Sequence, residues 1–109
     1  MLLFASAAHA EAPVVTITEP APGQPAFGEL DFAVEIVSGE AARVRFLLDG
    51  RTVGELEAPP FRIPVDVGDE NRAHRFEVEA VSAEGEIGTA LMVTPAIRVD
   101  DEVEAELQQ

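Results

Sequence analysis

The sequence predicts an all-β, two-sheet sandwich of about seven strands, and three observations lead there. Short segments with an apolar residue at every second position recur along residues 14–95, the period of half-buried strands, and none sustains a helical period. Clusters of Gly, Pro, Asp and Asn separate these segments at spacings that suit a sandwich. With 109 residues, 47% of them hydrophobic, the chain suits one domain around one core.

The elements follow in order. The β-branched run "VVTIT", residues 14–18, opens the domain and stops at Glu19-Pro20. "EPAPGQPAFGE" holds Pro20, Pro22, Pro25, Gly23 and Gly28, too many breakers for a regular element. "LDFAVEIV" places Leu30, Phe32, Val34 and Ile36 on one face, with Asp31 and Glu35 on the other. "VRFLLDGRTVGE", residues 44–55, reads as a hairpin over Asp49-Gly50, a pair suited to the positive φ values of a type I′ turn. A two-residue loop would set Leu48 opposite Arg51, Leu47 opposite Thr52 and Phe46 opposite Val53, so that Val53 extends the face of Val44, Phe46 and Leu48. Gly54 signals a bulge or an early exit. In "FRIPVDV" Phe61, Ile63, Val65 and Val67 alternate with Arg62, Pro64 and Asp66, and Pro64, which has no N–H to give, means that the strand either lies at a sheet edge or donates its N–H bonds elsewhere. "RFEVEAV" turns Phe76, Val78 and Ala80 inward, and "IGTALMVTP" runs the last strand to Pro95.

Composition bounds the partners and the compartment. Twenty-one acidic residues against seven basic ones, all arginine, give a net charge of −14. Such a surface repels phosphate backbones, so nucleic acid is not an expected partner. No run approaches the roughly 20 apolar residues of a spanning helix, which argues against membrane insertion. The chain has no cysteine, hence neither disulfides nor thiolate chemistry. "MLLFASAAHA" is apolar and ends in Ala8-His9-Ala10, a small-x-small pattern. Residues 1–10 therefore read as the remnant of a signal peptide, residues 11–95 as the sandwich domain, and the expected location is extracytoplasmic: periplasm, cell surface or secreted. Residues 96–109, with five acidic side chains after Arg98, read as an acidic linker or the start of a missing downstream domain.

The order of motifs carries a resemblance. Pro20 and Gly23, then Gly28, are followed by Val44, Phe46, Asp49 and Gly50, then by Pro60-Phe61, His74, Ala80 and Gly85. Over residues 14–94 this order resembles bacterial immunoglobulin-like modules of secreted and surface proteins, of the kind found ahead of von Willebrand factor A-like domains and beside carbohydrate-active or protease domains. The resemblance implies an immunoglobulin-like β-sandwich acting as a spacer, adhesion or docking module, with no shared catalytic site. Where such modules often carry an aspartate before the final Gly turn, this chain has Ser82, so the resemblance implies neither a side-chain cap nor a cation contact there.

The residues themselves argue against catalysis. His74 is the one histidine beyond residue 10, and it reads as the start of the Phe76 strand with its ring bonded to a neighbouring loop. Ser38 and Ser82 sit at strand ends, where serine forms turns, and neither lies in a Gly-x-Ser-x-Gly elbow. The chain has no Trp and no Tyr to stack on sugar rings. Phe32, Phe46, Phe61 and Phe76 all face inward by alternation, while Phe27, in the Pro-rich connection, reads as a plug over the sandwich end. Calcium is the one cofactor the pattern suggests, through Asp66, Asp69, Glu70 and Asn71, although EF-hand spacing is missing and a solvated turn accounts for the same residues. The leading expectation is a non-enzymatic module that contacts a neighbouring domain of the same polypeptide or another protein. The competing one is an adhesion or carbohydrate-associated module with its own ligand.

Overall fold

The computed structural model describes residues 11–97. Residues 1–10 and 98–109, which carry the leader expectation and most of the linker expectation, lie outside the described residues. Among the described residues seven strands follow one another without a helix: β1 (Val14–Glu19), β2 (Glu29–Ser38), β3 (Arg43–Leu48), β4 (Arg51–Leu56), β5 (Arg62–Asp66), β6 (His74–Val81) and β7 (Ile87–Thr94). They form a three-stranded sheet of order β1-β2-β5 and a four-stranded sheet of order β4-β3-β6-β7. Every pairing is antiparallel.

Period-two alternation decides which side chains meet between the sheets. Phe32 and Val34 come from the first sheet, and Val44, Phe46, Phe76, Val78 and Ala80 from the second; all are buried. Phe32 presents itself to both aromatic neighbours at once. Its ring centroid is 5.0 Å from Phe46 at an interplanar angle of 82°, and 5.1 Å from Phe76 at 83°. Edge-to-face contacts of this kind add about 0.5–1.5 kcal/mol each beyond area burial. β5 lies at the edge of its sheet, where Pro64 opposite Asp31 costs no ladder bond on its open side.

The hairpin departs from the expected register in one place. Asp49 and Gly50 have φ of 52° and 84°, as a type I′ turn requires, and Leu48 pairs Arg51 and Leu47 pairs Thr52. The register then slips, and Phe46 lies opposite Gly54 rather than Val53. Val53 is thrown outward, 38% exposed, and does not extend the inner face. The cause is space. A Cβ at position 54 would lie 2.9 Å from Ile63 Cδ1, so the bulge hands the inward position to the residue with no side chain.

Three further burials come from contacts between distant parts of the chain. Ala33, on the outward parity of β2, sits in register between Glu19 and Arg62 and is nonetheless buried. The Arg62 guanidinium reaches over it to Glu19 at 3.2 Å and to Asp31 at 2.7 Å. Pro13, just ahead of β1, is fully buried, with its carbonyl against Gly88 of β7. In the Pro-rich connection Ala26 takes the buried position, while Phe27, read as a plug, stays partly exposed.

Candidate functional site

The corner where the β3–β4 turn meets the start of β6 holds the best-connected titratable group. The positive φ of Asp49 aims its carboxylate back at β6. Oδ1 accepts the Arg75 N–H at 2.8 Å, and Oδ2 accepts the His74 Nδ1–H at 2.8 Å, since a carboxylate can only accept. The Asp49 N–H donates to the Arg75 carbonyl at 2.8 Å, which closes a reciprocal clamp. Arg72 stands 3.8 Å from Oδ2. The His74 ring is 3% exposed, and its Nε2 is buried without a partner. Behind it the His74 N–H donates to Thr94 Oγ1 at 3.3 Å. The ring therefore bonds a neighbouring loop, as the sequence suggested.

Burial acts to raise the Asp49 pKa. The Arg75 N–H, the His74 hydrogen bond and charge, and the Arg72 charge together outweigh it and hold the carboxyl below its ordinary value. A carboxyl depressed in the folded state contributes stability above its unfolded value of about 3.9, and that contribution is lost as pH falls through the folded pKa. Urea unfolding followed from neutral to acid pH should show the parent losing midpoint more steeply below about pH 4 than Asp49→Asn. Asparagine keeps the positive φ and loses the charge. Equal slopes in the two proteins would show that the clamp carries no charge-dependent stability.

This corner cannot serve a serine nucleophile. Ser82 follows the end of β6, whereas His74 begins it, and eight steps along the extended chain set them about 26 Å apart. Ser38 ends β2 beside the start of β1, and its register partner is Val14. Ser82 has a local task. Its Oγ accepts the Glu86 N–H at 3.0 Å while its carbonyl accepts the Gly85 N–H at 3.0 Å, so the turn does carry a side-chain cap, against the expectation, because a serine hydroxyl reaches the same N–H.

The four calcium candidates are not drawn together. Asp66 Oδ1 accepts the Gly68 N–H at 2.9 Å, and the Asn71 amide exchanges two bonds with the Ile97 backbone, at 2.8 and 2.6 Å. Asp69 and Glu70 are exposed loop residues. Among the described residues no group of three His, Asp or Glu is placed to hold a metal ion. Asn71 thus fastens the exit of β7 to the β5–β6 loop, a role that sequence spacing gave no reason to expect.

Two concavities stand out among the described residues. One, of about 420 Å³, lies where β5 begins and is lined chiefly by Ala33, Ile36, Pro59, Pro60, Phe61 and Arg62. The other, of about 480 Å³, lies at the Ser82 end and presents Glu11, Glu40 and Glu84. The first is mostly apolar, with Thr18, Glu35 and the paired Arg62 among its walls, and the second is acidic and polar. Neither combines a nucleophile, a base and an oxyanion donor.

Three-plus-four antiparallel strands with a packed aromatic centre define the immunoglobulin-like β-sandwich. No protein-family model and no curated protein matches the sequence. Among solved structures the chain is similar to the fibronectin(III)-like modules of Clostridium thermocellum CbhA, with a TM-score of 0.66 and 21% identity over 79% of this chain. It spans 47% of that chain's length.

Proposed function

We propose that this chain is a non-enzymatic, extracytoplasmic spacer or docking module of a larger secreted or surface protein. The observation that carries the reading is the match to a fibronectin(III)-like module, in which this chain accounts for about half of the matched structure. The cap at Ser82 and the clamps at Asp49 and Asn71 support it, because they spend the polar side chains near the loops on holding the fold. The neighbour would be a domain of the same polypeptide or another protein. The motif order favours a von Willebrand factor A-like or carbohydrate-active domain as that neighbour. The leader-like residues 1–10 support export, which cleavage after Ala10 in a secreting host would establish.

Binding assays separate this reading from a carbohydrate-associated or adhesive module. Affinity electrophoresis through gels containing soluble polysaccharides, and pull-down on insoluble ones, should show no retention. Phe27 is the one partly exposed aromatic among the described residues, too little platform for stacked sugar rings. Retention lost in Phe27→Ala would establish the binding module instead.

A further inference from the structure

The ladder between β2 and β5 stops short of the end of β2. It pairs Glu29–Ala33 with Arg62–Asp66, and one further bond, from the Val34 N–H to the Phe61 carbonyl at 2.9 Å, closes it. Ahead of Phe61 stand Pro59 and Pro60, which have no N–H to continue the ladder. β2 itself runs on to Ser38, held on its other side by β1. Backbone groups alternate in direction along a strand, so Ile36 aims its N–H and carbonyl to the same side as Val34. No backbone group among the described residues meets them there. The concavity of about 420 Å³ opens at this gap, with Ile36, Pro59, Pro60 and Phe61 in its walls.

We propose that this gap takes an extended, cationic peptide of a partner protein, which adds antiparallel to β2 where β5 leaves off. Main-chain bonds to Ile36 give the affinity, and alternate side chains give the specificity. Strand pairing sets every second peptide side chain on the inner face with Ile36 and Phe61, so those positions take apolar residues. The side chains between them stand on the outer face with Glu35, and charge selects them. Glu35 is exposed and has no ion-pair partner among the described residues. Arg62, the one basic residue in the wall, is already held by Glu19 and Asp31. Three carboxylates against one guanidinium leave the rim negative, so lysine or arginine gains there what aspartate or glutamate loses. The site deepens the docking reading given above, while the spacer reading stands without it.

Titration of the isotope-labelled full chain with an acetylated, amidated hexapeptide of alternating valine and lysine, followed by amide shifts in NMR, tests this. Shifts should concentrate at Glu35, Ile36, Phe61 and Arg62, and the Ile36 amide should gain protection from hydrogen exchange. The valine–glutamate hexapeptide should bind at least about tenfold more weakly. A lysine peptide N-methylated at its valines cannot pair through its backbone and should not bind. Glu35→Gln should weaken the lysine peptide about two- to fivefold, as the loss of one exposed charge contact does. Asp69→Asn removes the same charge from the exposed β5–β6 loop and should leave binding as in the parent. Unchanged melting midpoints would confirm that both variants fold. Three results would overturn the site: no binding at millimolar peptide, equal binding of the methylated peptide, or equal weakening by Glu35→Gln and Asp69→Asn. None of them touches the spacer reading, which the polysaccharide assays test.

Discussion

Replacing Phe32 with alanine will destabilise the domain by about 3–5 kcal/mol, enough to unfold most of a marginal sandwich. The ring is fully buried and is the aromatic bridge between the sheets, edge-on to both Phe46 and Phe76. Its removal leaves a cavity whose walls belong to three strands, each held by its own ladder, so the site cannot collapse to fill it. Phe46→Ala and Phe76→Ala remove one aromatic contact each and should fall in the same range. Phe27→Ala, at a partly exposed ring in the Pro-rich connection, should stay within about 0.5 kcal/mol of the parent. Thermal unfolding decides it: equal midpoints for Phe32→Ala and Phe27→Ala would refute the bridge.

Gly88→Val is the second large effect, and it acts through backbone alone. A Cβ at position 88 would run into the Pro13 carbonyl, and its next neighbour is the Pro13 carbonyl carbon at 2.9 Å. Backbone cannot swing aside as a flexible side chain does. The segment ahead of β1 must lift off β7, exposing buried Pro13 and loosening the start of the β1–β2 ladder. Overpacking costs typically about 1–3 kcal/mol, and this site belongs at or above the top of that range. Gly54→Ala meets only the Ile63 side chain and should cost less, since Ile63 can change rotamer. Urea midpoints in which Gly54→Ala suffers as much as Gly88→Val would argue against this account of the junction.

These two sites also mark how far the sequence could be read. Phe32, Phe46, Phe61 and Phe76 were legible because period-two alternation is a property of the strand itself. So were the Asp49-Gly50 turn and the edge position of Pro64, each dictated by local backbone chemistry. Pro13 and Gly88 were not, because their contact joins residues some 75 positions apart and neither shows a periodic signal. Val53 failed for a related reason: alternation assigned it inward, and the side chain of Ile63, from the other sheet, decided for Gly54 instead. The site shows the same division. His74 was legible as a strand-leading ring with a loop partner, but nothing local distinguished Asp49 from the other acidic residues as that partner. The Asn71–Ile97 clip, likewise, exists only once the chain has folded.

The claim that governs the rest is that residues 11–97 form an autonomous module with one shared core. Differential scanning calorimetry of that fragment alone tests it most directly. A self-contained sandwich should melt in one transition, with calorimetric and van't Hoff enthalpies equal and near about 60 kcal/mol. Its midpoint should match that of the full chain. A fragment that shows no transition, or that splits into two while the full chain melts as one, would contradict the module.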